Sequence, residues 1–140
     1  FKMALLIITH NLGVVARYAQ RVAVMYAGKI IESGTADEIY AAPQHPYTTG
    51  PLSSVPRLDA SARDRLESIE GEIPDLAHLP AGCAFEPRCR WAVDRCGVES
   101  PVQVPVRPSQ GRVAAGTDHQ VACWESENIA AGTALEQPPS

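Results

Sequence analysis

The chain has 140 residues, 45% of them hydrophobic and 20% charged, a globular balance rather than a disordered one. Its formal net charge of −4 carries no basic footprint for nucleic acid, and no apolar run is long enough to cross a bilayer as a helix. That length suits one ordinary domain or two small ones. Phe1 to Thr9 lacks the basic start and cleavage site of a signal peptide. The chain opens on Phe1 rather than Met, and its first residues read as a buried strand, so a piece cut inside a domain is expected.

Met3-Ala4-Leu5-Leu6-Ile7-Ile8 is a short, unbroken apolar run, the pattern of a strand covered on both faces in a parallel sheet. Leu12, Val15, Ala16 and Ala19 then recur at helical spacing over Leu12 to Gln20, with Asn11 as the candidate cap. Arg21 to Tyr26 and Lys29 to Glu32 read as two strands joined by Ala27-Gly28, the spacing of a tight hairpin, and Gly34 closes the second. Thr35-Ala36-Asp37-Glu38 has the form of a capping box, which predicts a short helix to Ala41 or Ala42, stopped by Pro43. A turn at Gln44-His45-Pro46-Tyr47-Thr48 leads into a short helix through Leu52, which Pro51 should kink or cut to one turn. Asp59 to Glu67 reads as polar and exposed, and Ile69 to Pro74 as weakly extended. The stretch up to Trp124 is rich in Pro and Gly, with one short helix expected near Pro87 to Val93. Residues 125–140 are expected to be disordered.

Two sets of residues carry chemistry. His10 directly follows the apolar run, and the carboxyl ends of strands are where open α/β sheets gather ligand-binding groups. Its ring can donate a hydrogen bond to a phosphoryl oxygen or to water, although a capping or surface histidine fits the position equally well. The four cysteines, Cys83, Cys89, Cys96 and Cys123, all lie in the second half. Without a secretion signal they point to metal or cluster binding rather than disulfides. Four soft thiolates suit zinc or an iron–sulfur cluster, and spacings of five, six and 26 residues do not separate the two. A poorly periodic region of this size usually needs such a staple. Trp91 and Trp124 flank candidate ligands as shields. Arg88, Arg90 and Arg95 would offset cluster charge or form a solvated basic face.

Taken together, Leu6-Ile7-Ile8-Thr9-His10-Asn11-Leu12-Gly13-Val14-Val15-Ala16, the strand pair from Arg21 to Gly34 and the helix at Thr35-Ala36-Asp37-Glu38-Ile39-Tyr40 resemble the switch-histidine end of ABC ATPases. Asn11 stands where many members have Asp. Pro43-Gln44-His45-Pro46-Tyr47-Thr48-Thr49-Gly50-Pro51-Leu52, continued by Ser54-Val55-Pro56, is similar to the His-Pro-Tyr segment that opens the C-terminal extension of oligopeptide and dipeptide transporter ATPases, with Pro51 where Leu is usual. The cysteine segment from Gly82 to Cys123 resembles the end of the same proteins, some of which hold a 4Fe–4S cluster on four such cysteines.

The resemblance implies an α/β fold: the C-terminal end of an ABC-type P-loop ATPase domain, followed by a small irregular cysteine-containing extension. The implied divisions are 1–42 (ATPase end), 43–80 (His-Pro-Tyr segment and linker), 81–124 (cysteine-rich, with a 4Fe–4S site or zinc on Cys83, Cys89, Cys96 and Cys123) and 125–140 (tail). It implies that His10 contacts the γ-phosphate of ATP and helps hold attacking water in line. It further implies ATP and Mg²⁺ in the parent protein, a second ABC ATPase subunit, two membrane permeases, an extracytoplasmic peptide-binding protein as an indirect partner, and a place on the cytoplasmic face of the membrane. Import of peptides is the leading reading. Nickel import by a related ATPase, or an isolated cluster- or zinc-binding interaction module without catalysis, are the alternatives. No Gly-x-x-x-x-Gly-Lys-Ser/Thr loop, Asp-Glu strand end or Leu-Ser-Gly-Gly-Gln signature occurs in these residues, so the 140 residues alone are not expected to act as an ATPase.

Overall fold

A computed structural model describes residues 3–53, 74–107 and 118–130. Helix α1 (Leu12–Tyr18) is followed by the hairpin β1 (Arg21–Tyr26) and β2 (Lys29–Thr35), then helices α2 (Ala36–Ala41) and α3 (Pro46–Ser53). The second half supplies a one-turn 3-10 helix (Glu86–Arg88), helix α4 (Asp94–Val98), the two-residue strands β3 (Val104–Pro105) and β4 (Gln120–Val121), and helix α5 (Ser126–Ala130). The sheet runs β1-β2-β4-β3 with antiparallel neighbours throughout.

Local chemistry explains the hairpin and the helix after it. Ala27 and Gly28 both take positive φ, 47° and 78°, the turn whose twist suits a two-residue hairpin. In β1, Val22, Val24 and Tyr26 turn inward while Ala23 and Met25 face out, the period of two expected of a half-buried strand. The β2 strand continues past Gly34 to Thr35. There Thr35 and Glu38 form a full capping box: Glu38 N–H donates to Thr35 Oγ1 at 3.3 Å, and Thr35 N–H to Glu38 Oε2 at 2.7 Å.

The core joins the two halves. Tyr26 and Ile31 of the hairpin pack with Phe85 from the cysteine region, and Tyr47 joins them. Tyr26 meets Phe85 edge-on at 5.3 Å between ring centres and Tyr47 at 4.7 Å. Burying a phenylalanine such as Phe85 contributes about 2 kcal/mol or more.

Several expectations are corrected. Met3–Ile8 is not a strand: Met3, Leu5, Leu6 and Ile8 are 83–94% exposed. A parallel strand exists only through neighbours, and the described sheet is antiparallel and pairs with none of these residues. Pro51 does not cut α3 to one turn, and the helix runs eight residues through it. The helix expected at Pro87 to Val93 is replaced by the turn at Glu86–Arg88 and by α4. Cys89, with extended φ and ψ, breaks the helical path between them. The segment from Glu125 was expected to be disordered, yet Ser126–Ala130 is helical. The readings of Asp59 to Glu67, of Ile69 to Ile73 and of the tail past Ala130 lie outside the described residues.

Candidate functional site

His10 stands exposed on a bend two residues before the start of helix α1. Asn11 caps that helix as its sequence suggests: Val14 N–H donates to Asn11 Oδ1 at 3.2 Å, and Val15 N–H to the Asn11 carbonyl at 3.3 Å. Asn11 N–H in turn donates to Thr9 Oγ1 at 3.0 Å. These bonds fix the backbone on the C-terminal side of His10 and leave its ring open to a ligand.

Between this turn and the second half lies a buried polar node. Glu32 of β2 is fully buried, and both of its carboxylate oxygens are occupied. Oε1 accepts the Gln44 N–H at 2.7 Å and meets His119 Nε2 at 2.7 Å, while Oε2 accepts the His45 N–H at 2.9 Å. One carboxylate therefore ties β2 to the entrance of α3 and to the residue preceding β4. Burying a carboxylate is tolerable only when its lone pairs are filled in this way. His119 is equally buried, and its Nδ1 finds no partner among the described residues.

The His-Pro-Tyr segment gains a physical role here. His45 Nδ1 accepts the Tyr47 N–H at 3.1 Å, and the His45 carbonyl accepts Thr48 N–H at 2.9 Å, so His45 caps α3 with its ring. A ring nitrogen that accepts must be unprotonated. Burial agrees, since it pushes the His45 pKa down to about 4 against the opposing pull of the Glu32 charge.

The four cysteines converge. Cys83, Cys89, Cys96 and Cys123 line one small cavity with His45, Pro46, Phe85, Trp91 and Trp124. The loops meet closely: Cys83 N–H donates to the Cys96 carbonyl at 2.7 Å. Gly82 permits this approach, because a Cβ there would stand 2.1 Å from the Cys96 carbonyl oxygen. None of the four is in a disulfide. Burial, with a smaller push from the charges of neighbouring cysteines, raises the pKa of Cys83, of Cys89 to about 11 and of Cys123 to about 12. Such thiols need a cationic centre to draw off their protons. Among the described residues no three histidine, cysteine or carboxylate groups stand in position to grip a single ion.

Around the cavity, Trp91 and Trp124 form part of the wall, and each ring is stacked by an arginine. Arg90 lies 4.0 Å from the Trp91 ring centre and Arg95 3.4 Å from that of Trp124. Arg88 Nη1 reaches the Tyr26 hydroxyl at 3.4 Å. His10 is not among the cavity-lining residues. Sequence reasoning missed Glu32, Gln44 and His119. The one available signal was a carboxylate directly after Ile30-Ile31 inside a strand.

Residues 31–96 match the family described as the oligopeptide/dipeptide transporter, C-terminal region, a stretch holding Glu32, His45, Pro46, Tyr47 and three of the four cysteines. Residues 31–96 thus belong to the C-terminal region of that transporter family. A Brucella ovis protein named for peptide import and ATP binding is 52% identical over 114 residues, covering 78% of this chain and 34% of that protein. The oligopeptide transport ATP-binding protein OppD of Mycobacterium tuberculosis is 44% identical over 131 residues, 94% of this chain and 20% of its own length. AppD of Bacillus subtilis, another oligopeptide transport ATP-binding protein, is 46% identical over 101 residues, 72% of this chain and 30% of its own. The chain thus spans about a third or less of these transporter ATP-binding proteins. No helix among the described residues is long and apolar enough to cross a membrane.

Proposed function

We propose that this chain serves in the ATP-binding subunit of an ABC importer that drives uptake of oligopeptides or dipeptides by ATP hydrolysis. The observation that carries the reading is the continuous family match over residues 31–96, which takes in most of β2, the His-Pro-Tyr segment and the loops of Cys83, Cys89 and Cys96. The names of the relatives favour peptides over nickel. In this reading the phosphate-binding loop and its Mg²⁺ lie outside these residues, and the subunit works with a second ATPase subunit and two permeases at the cytoplasmic face of the membrane. The extracytoplasmic peptide-binding protein is reached only through the permeases.

His10 takes the part of the switch histidine. Its exposed ring, on a backbone fixed by the Asn11 cap, donates a hydrogen bond to the γ-phosphate and helps align attacking water. In the full-length subunit, His10→Ala should lower ATP turnover roughly 100-fold or more while ATP still binds. Unchanged turnover would remove His10 from the mechanism.

The reading extends to a 4Fe–4S cluster on Cys83, Cys89, Cys96 and Cys123. Four thiols around one cavity, none in a disulfide, are the kind of donor set that such a cluster or a zinc ion takes. Bound there, the group would supply cross-links among loops that have little core of their own. Trp91 and Trp124 form part of the cavity wall. Anaerobic purification with visible absorption and iron, sulfide and zinc analysis tests this part. Iron and sulfide near four each per chain are expected, by the cluster's composition. A colourless protein with one zinc overturns it.

A further inference from the structure

No residue of helix α1 is fully buried, so apolar packing contributes little to holding it in place. Hydrogen bonds from α2 hold it instead. The Tyr40 hydroxyl donates to the Leu12 carbonyl at 2.5 Å. The Ala16 backbone acts on the same hydroxyl in the direction that favours the phenolate, against the larger effect of desolvation. Leu12 and Ala16 are the i and i+4 partners that close the first turn of α1, so the phenol sits at that turn's own hydrogen-bond rung. Past the other end of α1, Ala36 N–H donates to the Gln20 carbonyl at 3.0 Å. Both attachments come from α2, which the Thr35–Glu38 capping box fixes to β2, and β2 is fastened through Glu32 to the rest of the fold.

His10 is separated from this turn by Asn11 alone, and Asn11 caps the same turn. We propose that Tyr40 is a positioning residue for His10: by gripping the first turn of α1 it sets where the histidine ring stands relative to the phosphate. The inference rests on the reading of His10 as the switch histidine. The physical case is one of leverage. A ring that must meet a phosphoryl oxygen within hydrogen-bond distance tolerates little displacement, and a shift of about 1 Å can cost on the order of 100-fold in rate. Desolvation raises the Tyr40 pKa, so the hydroxyl remains a donor through the physiological range. Phenylalanine at this position keeps the ring and its packing and removes the hydroxyl's bond to the Leu12 carbonyl.

The test uses the full-length ATPase with its partner subunits in four forms: wild type, Tyr40→Phe, His10→Ala and the double variant. Tyr40→Phe is expected to lower kcat roughly five- to tenfold, the worth of about one hydrogen bond, with the Kd for ATP unchanged. The double variant should turn over no more slowly than His10→Ala alone, because Tyr40 acts through His10. Amide exchange at Val14, Val15 and Ala16 should quicken in Tyr40→Phe, which reads the grip directly even if that variant assembles poorly. Wild-type kcat in Tyr40→Phe beside a crippled His10→Ala overturns the positioning role and spares the reading of His10. Losses that simply add in the double variant, or unchanged exchange in the α1 turn, also overturn it by assigning Tyr40 a merely structural part. Normal turnover in His10→Ala sinks the reading of His10 and this proposal with it.

Discussion

Two apolar stretches of similar length, Met3–Ile8 and β1, behave in opposite ways. Both read as strands. β1 finds β2 through a two-residue turn and buries Tyr26 against Ile31 and Phe85, whereas Met3–Ile8 pairs with nothing in the described sheet and leaves Ile8 94% exposed. The apolar run states that a segment needs cover. It does not supply the cover, which for β1 lies two residues away and for a parallel strand must come from across a crossover. A similar contrast separates the segment from Glu32, a charged residue that is fully buried because three donors converge on it.

Breaking the well-partnered side should have the largest effect. Glu32→Ala removes the acceptor for Gln44 N–H, His45 N–H and His119 Nε2, leaving buried donors unpaired, and should cost about 3 kcal/mol or more by denaturant unfolding. A loss below about 1 kcal/mol would show that the node contributes little.

Acid should attack the same region next. The folded-state pKa of His45 is about 4 against an ordinary 6.5, so the unfolded chain binds the extra proton between those values. Stability is therefore complete above about pH 6.5 and falls as pH drops toward 4, with a slope of up to about 1.4 kcal/mol per pH unit. Thermal midpoints across that range, compared with His45→Gln, should show the slope flattened in the variant.

At the cysteine loops, Gly82→Ala places a methyl group against the Cys96 carbonyl and should cost about 1–3 kcal/mol while opening the Cys83–Cys96 contact. Faster labelling of the cysteines by a thiol reagent in the native state would report that opening.

The smallest effect belongs to the unpartnered side. Ile8→Ser in this chain should change stability by no more than about 0.5 kcal/mol, since the side chain is already in water. A markedly larger loss in the full-length protein would show that a partner covers the segment there.

What was legible in the sequence was what neighbours in sequence decide. The Asn11 cap, the Thr35–Glu38 box and the Ala27-Gly28 turn each complete their chemistry within four residues, so residue type and spacing suffice. The Glu32–His119 contact spans 87 residues, and nothing in either residue's neighbourhood names the other. The two-residue strands β3 and β4 are too short to show a period, and their pairing depends on that same distant partner. For the candidate site, the cysteines were visible as a set because thiols are rare, and the structure brings all four to one cavity. His45 was visible as a motif residue, but its work as a neutral ring cap on α3 required the Tyr47 N–H geometry.

The central structural claim is that one buried carboxylate fastens the hairpin, the His-Pro-Tyr segment and the strand leading to Cys123 into a single unit. Amide hydrogen exchange in wild type and Glu32→Gln tests it most directly. The Gln44 and His45 amides, bonded to Glu32, and the Ala122 amide, bonded to the Ile31 carbonyl at 2.8 Å, should be protected in wild type and lose protection together in the variant. Protection that survives the substitution at all three amides would contradict the account.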